Sequence, residues 1–294
     1  MDLKNKQKVF LIGAPKSGTT SLHHLINYHP NICLSKYKET RFFLDDELFS
    51  EGVNFFYNKY FDKSALSEKI QYIGESTPAY LGNAHIVAKR IQETFKNDDL
   101  KFIVILRNPT DRAWSNYLHR KVNLVELKSF REAVDEDING LRDGKPIFHR
   151  YFSCGLYSIQ LKAWFKCFSP SKFLILFYDE LKDETKLLEK IFDFLKIPPI
   201  GRLEFTKKLN VSSQPRSLYL SSLVRNSGLG KLFRKIVPKH KQHMVRTFVR
   251  QLIKKKARFR EEMPKELRDY MVRLYKSEIL NLEELLSRDL SEWK

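Results

Sequence analysis

The run Lys8-Val9-Phe10-Leu11-Ile12-Gly13-Ala14-Pro15-Lys16-Ser17-Gly18-Thr19-Thr20 decides how this chain folds. Its first half, up to Gly13, reads as a short buried strand. Its second half is a turn with four residues between Gly13 and Gly18. A helix then begins near Thr19 and runs to about Tyr28, where His29-Pro30 ends it. A turn of this kind directs backbone N–H groups inward, and the helix behind it adds the positive end of its dipole. The loop is therefore suited to a phosphate-like anion. A nucleotide-hydrolysing loop places Lys directly after the second glycine. Here Thr19 stands there, and the lysine is Lys16.

Outward from this run, the pattern predicts strands over Ile70–Gly74, Lys101–Leu106 and Lys172–Phe177. Helices are expected over Asn83–Phe95, Thr110–Arg120, Phe130–Leu141, Tyr157–Phe168 and Leu187–Leu195. Strands alternating with helices at this spacing give an α/β fold, a parallel sheet with helices on both faces. Such sheets bind ligands at the carboxyl ends of their strands, where the turns after Ile12 and Leu106 both fall. From Pro198 the strand pattern fades and basic, helical sequence follows. A terminal helix is expected over Pro264–Arg288, with Leu267, Met271, Leu274, Ile279, Leu282 and Leu285 near one stripe. No internal repeat appears, so residues 1–294 read as a single domain with a basic C-terminal elaboration.

The strand ending at Leu106 carries the second signal. A nucleotide hydrolase often ends such a strand with an Asp that helps hold Mg²⁺. This strand ends in Arg107. The site thus reads as one that neutralises anions with cationic side chains and requires no metal.

These residues resemble the sulfotransferases that use 3′-phosphoadenosine-5′-phosphosulfate (PAPS). Pro15-Lys16-Ser17-Gly18-Thr19-Thr20 is similar to the family's 5′-phosphosulfate loop. Arg107-Asn108-Pro109-Thr110-Asp111-Arg112-Ala113-Trp114-Ser115 is similar to its 3′-phosphate motif, in which an Arg and a Ser eight residues later bind that phosphate. Segments around Lys38-Glu39-Thr40-Arg41-Phe42-Phe43, Gly74-Glu75-Ser76-Thr77-Pro78-Ala79-Tyr80, Gly155-Leu156-Tyr157 and Tyr178-Asp179-Glu180-Leu181, with Trp293, resemble the carbohydrate, heparan-sulfate-type branch. The resemblance implies a three-layer fold related to nucleotide kinases, with PAPS as donor and adenosine 3′,5′-bisphosphate (PAP) as product. It implies that Pro15, Lys16, Ser17, Gly18, Thr19 and Thr20 bind the donor, with Lys16 stabilising the leaving group. Arg107 and Ser115 would take the 3′-phosphate, and Lys256 and Arg258 would form a third, basic nucleotide loop. Glu39 is the implied general base; His119 and, behind it, Glu75 are secondary candidates. Two departures stand out. Ala257 replaces a glycine frequent in that basic loop, and Ser76 stands where heparan-type relatives commonly carry Lys, which weakens the case for a heavily anionic acceptor.

Composition bounds the remaining possibilities. Of 294 residues, 42% are hydrophobic, enough for a sizeable core. Cys33, Cys154 and Cys167 have unrelated spacings and read as buried reduced thiols. The first residues carry no apolar signal core and no stretch approaches a membrane span, so a cytoplasmic protein is expected. The formal net charge is +18, and the segment 205–260 supplies +16 of it, with 16 Lys and Arg and no Asp or Glu. Such a segment attracts anions, including an anionic membrane or polymer. The acceptor is expected to be a small molecule or glycan, with no nucleic-acid partner. Two other readings compete. A nucleotide kinase is opposed by Thr19 and Arg107, and a non-enzymatic binder of nucleic acid or membrane leaves both anion loops unexplained.

Overall fold

A computed structural model describes residues 3–62, 67–96, 98–123, 125–199, 213–215, 254–256 and 261–294. Five strands form one sheet: β1 (Gln7–Gly13), β2 (Ile32–Leu34), β3 (Tyr72–Ser76), β4 (Leu100–Leu106) and β5 (Phe173–Phe177). All neighbours are parallel, in the order β2-β3-β1-β4-β5. Among the described residues the helices are α1 (Thr19–Asn27), α2 (Asp46–Ser50), α3 (Gly52–Tyr60), α4 (Ala84–Thr94), α5 (Pro109–Val122), α6 (Phe130–Ile138), α7 (Tyr157–Phe165), α8 (Glu184–Leu195) and α9 (Lys265–Leu286). A short antiparallel pair, β6 (Ser213–Pro215) and β7 (Lys254–Lys256), joins the two ends of the basic segment.

Side chains along a strand alternate faces, and both faces here are apolar, so helices must cover both. Val9 and Leu11 of β1, with Ile103 and Ile105 of β4, pack against Leu22, Leu25 and Ile26 of α1 and Leu187, Ile191 and Leu195 of α8. Phe10, Ile12, Phe102 and Val104 point the other way, onto α4, α7 and α9. Phe102 stacks on Phe10 and Phe173, with ring centroids 5.8 and 4.8 Å apart. The result is the expected three-layer sandwich. Trp164 of α7 is fully buried, and its Nε1–H donates to the Leu81 carbonyl at 3.1 Å. Helix α9 is fixed to α7 by Glu278, whose carboxylate accepts from the Ser158 N–H at 2.6 Å and its hydroxyl at 2.8 Å.

Strand β1 lies between β3 and β4, so the chain places later strands on opposite sides of it. That reversal opens a crevice at the carboxyl ends of β1 and β4. The turns after both strands leave the sheet there.

Three differences from the sequence reading have physical causes. The strand expected over 70–74 is β3, two residues later, because Gly74 sits opposite Val9 in the β1 ladder. Strand β2 and helices α2 and α3 are not anticipated: three to nine residues carry too little periodicity, and the aromatic side chains of α3 mask it. Of the three thiols, only Cys154 is buried; Cys33 and Cys167 are half-buried, and all three are free.

Gly74 offers the sharpest test of the sheet. A Cβ there would stand 1.8 Å from the Val9 carbonyl oxygen, a backbone atom that cannot move without breaking the β1–β3 ladder. Gly74→Ala is expected to cost at least ~3 kcal/mol, read as a lowered urea midpoint. An unchanged midpoint would contradict this register.

Candidate active site

The turn from Gly13 to Thr19 forms a cradle at the crevice. The Ala14 N–H donates to the Ile105 carbonyl at 2.8 Å, tying the turn to β4. Lys16 and Gly18 hold positive φ, +69° and +89°. Gly18 is favoured by its φ, which suits glycine, and a Cβ there would push aside the Leu181 side chain, 2.4 Å away, and press on Tyr178 at 3.3 Å. Helix α1 begins after Gly18 with no side-chain cap, which leaves first-turn N–H groups for another partner. Ser17 Oγ is buried and makes no well-formed hydrogen bond, although the Tyr157 hydroxyl lies within its reach. The Tyr157 hydroxyl nearby donates instead to the Arg107 carbonyl at 2.9 Å. A buried hydroxyl left in this state costs free energy unless a ligand pairs with it. Uncapped helix, orphaned hydroxyl and adjacent cations together fit the phosphosulfate end of PAPS.

The second turn meets the first. The Arg107 guanidinium donates to the Lys16 carbonyl at 3.4 Å and lies over the Tyr178 ring, 4.6 Å from its centroid. Asn108 caps α5 by accepting from the Thr110 N–H at 3.0 Å, and Pro109 fills the first helical position. Ser115 is half-buried on the second turn of α5. His119 lies one turn further on the same helix, at the exposed end. Three strand ends thus converge: Gly13 of β1, Leu106 of β4, and Phe177 of β5, which Tyr178 follows.

Beyond β3 lies the loop of the proposed base. Glu39 is 42% exposed, and its carboxylate pairs with Lys38 Nζ at 3.0 Å. Its N–H donates to the Ser76 carbonyl at 2.9 Å. Phe42 and Phe43, fully buried and edge-on to one another at 4.9 Å, anchor the loop in the core. Glu75 does not face an open cleft. It is completely buried, and Thr40, Thr77 (2.8 Å) and Tyr80 (2.5 Å) all donate to its carboxylate. Burial raises its pKa against the pull of those three hydroxyls.

Lys256 is the last residue of β7, paired in register with Ser213. Ala257 and Arg258 lie outside the described residues. Two residues that touch Arg107 are given no role by the sequence alone: Tyr157 and Tyr178. Tyr178 follows β5 as Arg107 follows β4, and that shared position is the signal that finds it.

The fold and these turns define a parallel α/β protein with a crevice at its strand ends, where the turns after β1 and β4 meet. The chain belongs to the sulfotransferase family: the model of the sulfotransferase domain matches residues 6–282. It is 29% identical over 201 residues to heparan sulfate glucosamine 3-O-sulfotransferase 5 of Mus musculus, covering 65% of this chain and 54% of that protein. It is 25% identical over 211 residues to the human bifunctional heparan sulfate N-deacetylase/N-sulfotransferase 2, covering 69% of this chain and 23% of that one. The chain therefore spans about half the length of the 3-O-sulfotransferase relatives it matches. A sulfotransferase structure from Alicyclobacillus acidocaldarius shares the fold, with TM-score 0.67 and 21% identity over 98% of each chain.

One buried group makes the site pH-sensitive. His23 of α1 is 6% exposed, and its Nδ1 shares a hydrogen bond with Ser76 Oγ at 2.8 Å. Burial, then the neighbouring His24 and Lys38, lower its pKa from 6.5 to about 4. The unfolded chain takes up this proton near pH 6.5 and the folded one does not. Stability is therefore unaffected above about 6.5 and lost as pH falls from there towards 4. At about 1.4 kcal/mol per pH unit, the loss between pH 6.5 and 5 is roughly 2 kcal/mol. His23→Gln is expected to remove that part of the slope in urea unfolding; an identical slope in both proteins would contradict it.

Proposed function

We propose that the protein transfers the sulfuryl group of PAPS to a hydroxyl or amine of a carbohydrate, lipid or small natural-product acceptor, releasing PAP. The observation that carries this reading is the meeting of two anion turns at one crevice, where Arg107 touches the Lys16 backbone beside an orphaned Ser17 hydroxyl. The named heparan sulfate relatives favour a carbohydrate acceptor. In this reading PAPS, when bound, supplies the activated sulfuryl group. Thr19, Thr20 and the α1 N–H groups hold its 5′ end, and Arg107 and Ser115 select its 3′-phosphate. Lys16 meets charge that grows on the bridging oxygen, and Glu39 takes the acceptor proton. Lys16 and Arg107 do the neutralising that Mg²⁺ does in a kinase, so the reaction needs no metal.

Two variants test the roles, assayed in EDTA with labelled PAPS and the acceptor found by screening. Lys16→Ala is expected to lower turnover by about 10²–10³, and nucleotide affinity far less, because its main partner exists in the transition state. Normal turnover with only a raised KM would make Lys16 a binding residue.

Glu39→Gln keeps shape and removes basicity. It is expected to lower turnover by roughly 10²–10⁴, while PAP affinity stays near wild type. Retained turnover would mean that the Lys38–Glu39 pair is a surface ion pair and that the proton goes elsewhere.

A further inference from the structure

Glu39 and Arg41 are non-glycine residues with left-handed backbone, φ +63° and +58°. Side chains disfavour that region, so surrounding contacts must hold it. The holders are two successive residues at the end of β3. The Glu39 N–H donates to the Ser76 carbonyl at 2.9 Å, and the Arg41 N–H donates to Thr77 Oγ1 at 3.3 Å. Each holder is in turn held by a buried titratable group. Thr77 donates to Glu75, and Ser76 shares its hydrogen bond with His23.

The two halves of this clamp differ in where they lead. The Glu75 half closes on itself, since Thr40, Thr77 and Tyr80 all belong to the same loop and strand end. The His23 half leads away, onto α1. His23 lies four residues after Thr19 and three after Thr20, on the face of α1 that continues from the anion cradle. Two hydrogen bonds, through the hydroxyl and then the carbonyl of Ser76, therefore separate that helix face from the backbone of Glu39. The imidazole is neutral near neutral pH, so the bond to Ser76 adds no charge beside Lys38.

We propose that His23 is a positioning residue which, through Ser76, ties the loop bearing Glu39 to the helix bearing the donor anion, so that donor binding tightens that loop. Its functional meaning rests on the proposed roles of α1 and Glu39; the tie itself is a property of the fold. An occupied cradle draws on the first turn of α1 and fixes the helix, and His23 passes that restraint to Ser76. A residue that only filled space at this position would leave the Glu39 amide indifferent to nucleotide.

The test is amide hydrogen exchange at Glu39 in the full chain, free and with PAP, beside calorimetry of PAP binding. In wild type, PAP is expected to slow Glu39 exchange at least about tenfold, the worth of about one hydrogen bond. In His23→Leu that protection is expected to disappear while the PAP Kd changes by less than about threefold, since His23 touches no phosphate in this arrangement. His23→Asn keeps a hydrogen-bonding atom near the Nδ1 position and is expected to restore protection. Ser76→Ala cuts the same bond from its other end, in case His23→Leu does not fold. Undiminished protection in the folded variants, or equal losses in Leu and Asn, would overturn the proposal. Calorimetry separates the two failures. Wild type that does not bind PAP sinks the donor assignment, and the free proteins then decide the tie: faster Glu39 exchange in Ser76→Ala supports it, and an unchanged rate overturns it.

Discussion

The N-terminus of α1 enters the crevice without a side-chain cap, beside a buried Ser17 hydroxyl that makes no well-formed hydrogen bond. The surrounding structure is arranged around these unsatisfied groups. Strand β1 delivers the turn from the middle of the sheet, and β4 anchors it through the Ala14–Ile105 hydrogen bond. Tyr178 and Leu181, after β5, close over Gly18, so a side chain there would displace Leu181 besides straining the left-handed backbone. Arg107 then bridges two of the three strand ends. In the proposed function the anionic end of the donor pairs with these groups, and that pairing contributes binding energy.

Much of this was legible in the sequence because the central strands are short, unbroken apolar runs between turn residues. Lys8–Gly13 and Lys101–Leu106 stand where β1 and β4 lie, and the turns read as anion loops leave the sheet after them. The absence of Lys directly after Gly18 and the Arg at the end of β4 are likewise read from residue identity alone, without the fold. Helix α9 was legible from its stripe, of which Met271, Ile279 and Leu282 are buried.

What was not legible depends on contacts between distant segments. Glu75 and Glu39 look alike in sequence, each a carboxylate beside hydroxyl or basic residues. Only the fold shows that Glu75 is sealed by three hydroxyls while Glu39 stays 42% exposed. His23 reads as one of two adjacent histidines on a helix, and nothing local says that Ser76, 53 residues away, receives it. The left-handed backbone at Glu39 and Arg41 is equally hidden, since neither residue type favours it.

If the crevice takes a nucleotide carrying a 3′-phosphate, calorimetry with two adenine nucleotides will show it. PAP and ADP differ in the phosphate that Arg107 and Ser115 are proposed to hold. A charged hydrogen bond contributes roughly 1.5–3 kcal/mol, so PAP should bind at least about tenfold more tightly than ADP. That preference should shrink in Arg107→Ala. Equal affinity of the wild-type protein for PAP and ADP would contradict the account.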